Sequence, residues 1–467
     1  MQNKFITAGK FKVFVYIFAC LSILSFQISF SGLQAEKRNI SSNNDLQNDN
    51  HQPTLNQPPD DDYFQDDYLR YSDFVYSNNI KSILFNQKGW DLSPPIIELN
   101  SSERLVLRFD DLDGDFKNYS YTIIHCNAFW QPSDLMEFEY IEGFFEDRLN
   151  EFAFSRNTRV PYTHYRLEFP NHNMRPKLPG NYILKIFRDG NRDDLVLTRR
   201  FMVNEPLITI QATVKQATNL RYRDIKQEIN FSINTERYNI TNPFRDLRVV
   251  ITQNGRWDNA IFDVRPRLVQ GNMLIYDLED EVLFMGGNEF RNFDIRSLRH
   301  RSLRVKEINT VSRGWEVKLF PDRNRRFLRY TTSDDINGRF IIKNDDFPDD
   351  MLESDYAWVH FTLPHTGAIA EGNVYVAGKL TDWTFTSRNR MEYNYRDSQY
   401  ELKLLLKQGF YDYLYAFLED GSELADPSIF EGSHSIAENE YTIYVYYRKP
   451  GELFDSLIGL LNVHYGR

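Results

Sequence analysis

Three stretches carry residue types whose spacing could do chemistry. His125 adjoins Cys126, the two side chains of a thiolate–imidazole centre. In a strand, however, sequence neighbours point to opposite faces, so the expectation is a core cysteine. Asp111, Asp113 and Asp115 stand two apart in "DDLDGDF", which could ligate Ca2+. The EF-hand loop needs Gly sixth and a carboxylate twelfth. Here Gly114 comes fourth and Thr122 twelfth, so a hairpin loop is expected. The third stretch, "GGNEFRNFDIRSLRH" (286–300), has paired glycines like a phosphate cradle. Phosphate loops need G-x-G-x-x-G or G-x-x-x-x-G-K opening a helix, and acidic Glu289 would repel phosphate. Gly286 and Gly287 therefore suggest a bulge or close turn. The residues after them suit a sheet corner with Arg–carboxylate pairs. The functional alternative is a protein-docking surface of Gly286, Gly287, Asn288, Glu289, Phe290, Arg291, Phe293 and Arg296, because Arg and aromatics anchor interfaces. G-x-S-x-G, H-E-x-x-H and Walker sequences are missing. No catalytic residue, metal or cofactor is assigned. A carboxylate pair could still be assembled by the fold from distant positions.

The elements that would position these residues are strands. Phe and Tyr number 36 and 28, and aromatics make up 15 % of 467 residues, a composition that favours pleated surfaces. Apolar and polar residues alternate over 80–87, 104–112, 119–128, 164–170 and 181–190, with turn residues such as "LDGD" and "KLPGN" between them. The same pattern recurs at 207–214, 227–234, 247–254 and 273–278, and again at 356–364, 372–384, 400–422 and 441–449. The predicted fold is all-β, consecutive immunoglobulin-like or early-set β-sandwich units. The expected boundaries are 69–205, 206–350 and 351–449. A tail at 450–467 could be a short helix or a final strand.

Ahead of these units, Lys4, Lys10 and Lys12 precede an apolar stretch at 13–30 and small residues ending at Ala35. This reads as a secretory signal peptide over 1–35, with an uncleaved anchor as the alternative. Residues 36–68 are rich in Asn, Gln, Asp and Pro and predict a disordered acidic linker. The net charge is −11, and losing three lysines with the leader makes it −14. That balance argues against nucleic acid and against adhesion to an anionic membrane. No later segment is apolar enough to span a bilayer, and Cys126 has no disulfide partner once Cys20 leaves.

"VYVAGKLTDWT" (374–384), followed by Gly409, Tyr411, Tyr413, Tyr415, Phe417, Asp420, Gly421, Asp426 and Pro427, resembles the early-set sandwich of glycogen-binding and isoamylase-type modules. A second tryptophan of the sugar-binding members is replaced by "SEL" (422–424), so Trp383 would offer half a stacking platform. An exported carbohydrate-binding protein using Trp383 is the alternative function, and Trp383 is otherwise a candidate protein-binding residue. The ordered series "PPIIEL", "LRFDDL", "YTIIHCNAFWQPSDL", "EYIEGF", "NTRVPYTHYRLEFPN", "GNYILKIF", "TRRFMV", "QNGRWDNA" and "GGNEFRNFD" resembles the plug protein family of the type IX secretion system of Bacteroidota. The resemblance implies a non-enzymatic periplasmic subunit, monomeric when free. It would bind a large outer-membrane β-barrel translocon and close its periplasmic opening.

Overall fold

The computed structural model describes residues 68–466. The expected signal peptide, and the expected linker up to residue 67, lie outside the described residues. Strands carry nearly all the regular structure, and the helices described are single turns such as Glu137–Tyr140 and Ser428–Glu431. Among the described residues no helix is long and apolar enough to cross a membrane.

The alternation seen in the sequence becomes packing in the first sandwich. One sheet orders Ile80–Gln87, Leu105–Asp111, Thr163–Phe169 and Glu151–Phe154. The other runs through Leu195–Asn204, Gly180–Arg188 and Tyr119–Cys126. Leu105, Leu107 and Phe109 point inward at period two and meet Tyr119, Tyr121 and Ile123 of the facing sheet. Tyr119 lies edge-on to Phe109 and Tyr165, with ring centroids 5.5 and 4.8 Å away. Such aromatic pairs add stabilisation beyond area burial.

The second sandwich does not follow the expected linear boundaries. One of its sheets contains Thr209–Gln216, Lys226–Asn234 and Met273–Tyr276. Its other sheet pairs Leu247–Gln253 with Asn439–Tyr447, and that strand with Ser456–Tyr465. The tail left open between helix and strand is thus a strand, and it completes the second sandwich. The third sandwich is inserted between the two parts. Arg291–Asp294 and Phe340–Ile342 pair with Gly409–Glu419, and Gly314–Leu319 lies parallel to Tyr356–Pro364. The boundaries at 350/351 and 449/450 therefore cut through sheets. Alternation is a local signal, and it does not say which strand some 190 residues away will supply the ladder.

Candidate functional site

The 286–296 segment is a sheet corner whose side chains turn inward. A Cβ on Gly286 would stand 2.1 Å from the His434 carbonyl oxygen, and Gly287 has φ +69°. These glycines permit a close backbone approach and a left-handed turn, without forming a phosphate cradle. Asn288 donates its amide to the Glu431 carbonyl at 2.8 Å, and the buried Glu289 accepts from the Tyr330 hydroxyl. Phe290 packs edge-on against Trp383 at 6.0 Å. Phe293 stacks on Tyr411 at 5.3 Å in the third core.

Arg291 is the electrostatic centre of this corner. Its Nε lies 2.9 Å from Glu431 Oε1, and its Nη1 lies 3.0 Å from Asp322 Oδ1. Arg325 and Arg304 add a second cation to each carboxylate, and the Tyr413 and Tyr415 hydroxyls donate to Asp322 at 2.6 and 2.9 Å. Burial alone would lower the Arg291 pKa, but Glu431 and Asp322 hold it above its ordinary value. Glu431 is held below the usual carboxylate range: burial would raise it, and Arg291 and Arg325 outweigh that.

These positions correct the docking reading. Glu289, Phe290, Arg291, Phe293 and Trp383 are buried, while Gly287, Asn288 and Arg296 are half-buried and Arg296 is paired with Asp294 at 2.6 Å. An Arg–aromatic alternation looks the same whether solvent or a second layer covers the outer face, and here a layer covers it. Trp383 is only 7 % exposed, with the Arg256 guanidinium 4.4 Å over its ring. No face remains for a sugar, so the Trp383 stacking platform is corrected as well.

The other two candidates resolve similarly. Burial pushes the Cys126 thiol up to about 12, far from a nucleophile's range. Asp111, Asp113 and Asp115 do converge, with their carboxylate oxygens within 4.8 Å of one another. The Lys117 ammonium sits among them, 3.0 Å from Asp111 and 3.9 Å from Asp115, and it also pairs with Asp113.

Sequence reasoning missed the polar joints between sandwiches. Asp110, on the outer face of the first sandwich, accepts from Lys407 Nζ at 2.6 Å, from the Tyr356 hydroxyl at 2.7 Å and from His164 Nδ1 at 2.6 Å. All four side chains are buried. Lys407 also donates to the Met351 carbonyl and faces the Tyr162 ring at 4.1 Å. Close by, Asp355 of the third sandwich accepts the Arg159 and Val160 amides of the first, at 2.7 and 3.0 Å. A separate joint runs Asp73–Lys379–Asp382–Arg199, with contacts of 2.9, 3.1 and 2.9 Å. The first and second sandwiches share Tyr446 on Asn181 at 2.8 Å, Ala128 N–H on Asp455 at 3.0 Å, and Trp130 edge-on to Trp257 with Arg200 over both. Arg339 pairs with Glu440 between the third and second. Each pair of sandwiches is therefore tied by directional contacts, buried at Asp110–Lys407 and Tyr446–Asn181 and half-buried at Arg339–Glu440. The available signal was a strand charge such as Asp110 or Lys407 with no local partner.

One joint residue should make stability depend on pH. His125 packs against Tyr182 and Phe454, with ring centroids 4.9 and 5.7 Å away. Burial pushes its pKa down to about 4, only partly offset by the Pro179 carbonyl and Asp455. Between about pH 6.5 and about 4 the unfolded chain binds a proton that the native chain refuses. The stability contributed by neutral His125 is therefore fully present above this window and is lost through it on acidification, by about 3 kcal/mol. Urea unfolding across this range should show wild type losing more stability on acidification than His125→Gln does, because Asp412 and Asp335, whose carboxyls burial raises, titrate alike in both. An unchanged slope in the variant would refute the assignment.

A sequence-family profile described as "Type 9 secretion system plug protein 1st domain" matches residues 80–205. Those residues hold most of the first sandwich. Among solved structures, a hypothetical protein from Parabacteroides merdae ATCC 43184 is 34 % identical, with a TM-score of 0.82. The match covers 85 % of this chain and 100 % of that one. No curated protein matches. The profile carries a plug role within a secretion system, which is structural in kind. The chain belongs to the type IX secretion system plug protein family.

Proposed function

We propose that the protein is the periplasmic gate of this system, binding the large outer-membrane β-barrel translocon and closing its periplasmic opening. The plug-domain match over 80–205 is the observation that carries this reading. The buried joints agree with it, because occlusion requires a body that does not flex open under a load. The matched domain also exposes a cluster of large apolar side chains. Met136, Phe138 and Phe144 are each more than 60 % exposed, and Arg192 ties this segment together by bonding Glu137 at 2.6 Å and the Phe145 carbonyl at 3.1 Å. An apolar patch held this firmly suits a partner contact.

The test is an affinity pull-down of the tagged, exported protein from solubilised envelopes of its own source, read by mass spectrometry. Recovery of a very large outer-membrane β-barrel is expected. A Phe138→Ser/Phe144→Ser variant should lose most of that recovery and keep the wild-type unfolding midpoint, because both rings are already exposed. Failure to recover any barrel would overturn the gate.

A further inference from the structure

The acidic chain hides a cationic edge. Between residues 296 and 330 there are eleven Lys and Arg against three Asp and Glu, in a protein of net charge −11. The structure gathers the two ends of this segment. Val305–Val311 is the edge strand of its sheet and pairs with Gly314–Leu319. Phe320 N–H donates to the Arg304 carbonyl at 2.9 Å, and Arg304 Nη2 returns to the Phe320 carbonyl at 3.0 Å and to Asp322 at 2.8 Å. The 299–306 loop and the 320–329 loop therefore lie side by side.

Their cations face outward. Arg299, Arg301, Lys306, Arg323, Arg326 and Arg329 are exposed, and among the described residues none has a carboxylate within ion-pair distance. Apolar side chains are interleaved with them. Phe327 is 89 % exposed, and Leu303, Phe320 and Leu328 are exposed too. Phe327 stands at the tip of a turn closed by Leu328 N–H on the Arg325 carbonyl at 2.9 Å. The turn is anchored from behind: Arg325 reaches Glu431 and the Glu289 carbonyl, and its N–H bonds the Phe430 carbonyl at 2.7 Å. The 298–301 end of the edge borders an open hollow of about 670 Å3, with Leu298, Ile308 and Trp315 as apolar lining and Arg299, His300 and Arg301 as polar lining.

We propose that this edge docks on a bilayer carrying anionic phospholipid headgroups. A rigidly held apolar tip ringed by guanidinium groups suits a soft interface. Phe327 and Leu328 can enter among the acyl chains while the arginines stay at the phosphates. An acidic protein partner would meet the charges but would have to supply a pocket for a projecting phenylalanine. Whole-chain net charge does not forbid the contact, since screening confines each charge's reach to about 10 Å and the local sign is positive. The proposal does not rest on the barrel contact, and its test contains no barrel.

Tagged protein purified after export would be co-sedimented with vesicles of phosphatidylcholine alone and of phosphatidylcholine with phosphatidylglycerol. Binding is expected only with the anionic lipid, weakening as salt rises. R323E/R326E/R329E should lower the partition coefficient by at least about tenfold, because each cation near the surface contributes on the order of a fivefold factor. Phe327→Ser should lower it by a smaller factor. All four side chains are exposed, so unchanged unfolding midpoints will separate surface loss from misfolding. Equal binding to both vesicle types, or a triple variant that sediments like wild type, would overturn the proposal. So would absence from both vesicle types; arginine-dependent retention on polyglutamate would then point to an acidic protein instead.

Discussion

Lys407→Met is expected to destabilise the protein by about 3–5 kcal/mol, the cost of leaving one partner of a buried ion pair uncompensated. Lys407 and Asp110 are both 1 % exposed and lie 2.6 Å apart across the joint between the first and third sandwiches. Removing the ammonium leaves Asp110 facing only the Tyr356 hydroxyl and His164. In the native protein burial alone would raise the Asp110 carboxyl, but Lys407 and then His164 hold it below its ordinary value. A carboxyl so lowered contributes stability that is present above about pH 4 and lost as pH falls further. In the variant the cation is gone and the carboxylate is a liability that protonation relieves. The deficit should therefore be largest at neutral pH and shrink on acidification. Asp110→Asn/Lys407→Met should recover most of the loss, because the amide keeps an acceptor for Tyr356 and no buried charge remains. Urea unfolding followed by tryptophan fluorescence checks all three. A single variant costing less than about 1 kcal/mol would show that the pair is not desolvated as described.

Much of this architecture is legible in the sequence because it is local. The period-two pattern of Leu105, Leu107 and Phe109 marks both a strand and its inward face, and the strand Ile80–Gln87 falls where alternation alone places it. What is illegible is non-local. Val249, Val250 and Ile251 announce a strand, but nothing near them says that their ladder partners are Val445, Tyr444 and Ile443. The candidate corner failed for the same reason. Arg291 and Phe293 in "FRNFD" carry the residue types of an exposed anchor, and the groups that bury them arrive from far along the chain: Asp322, Glu431 and Tyr411. The cationic edge failed differently. Its arginines are plain to read, but a net charge summed over 467 residues averaged them away. A windowed charge count would have found it.

The corner therefore has a stronger consequence for folding than for docking. Arg291→Met should be destabilising by up to about 3–5 kcal/mol, the cost of a fully uncompensated buried charge, because it withdraws one cation from a buried cluster that holds two carboxylates. Glu431 would keep Arg325, and Asp322 would keep Arg304 with the Tyr413 and Tyr415 hydroxyls, so the cluster would weaken without becoming fully uncompensated. Arg291→Glu would be worse, since it replaces the shared cation with a third buried carboxylate beside Glu431 and Asp322. That variant should fail to accumulate as a folded protein. Arg291→Lys tests the geometry rather than the charge. A lysine ammonium cannot reproduce the fork by which Nε serves Glu431, Nη1 serves Asp322 and Nη2 serves the Arg323 carbonyl, so it should recover only part of the loss. The readout is the unfolding midpoint together with barrel recovery in the pull-down. If Arg291→Met folded with wild-type stability and lost the barrel, the residue would be an exposed anchor after all. If stability and barrel recovery fall together while the exposed Phe138→Ser/Phe144→Ser variant loses the barrel alone, the corner is scaffold and the contact lies on the first sandwich.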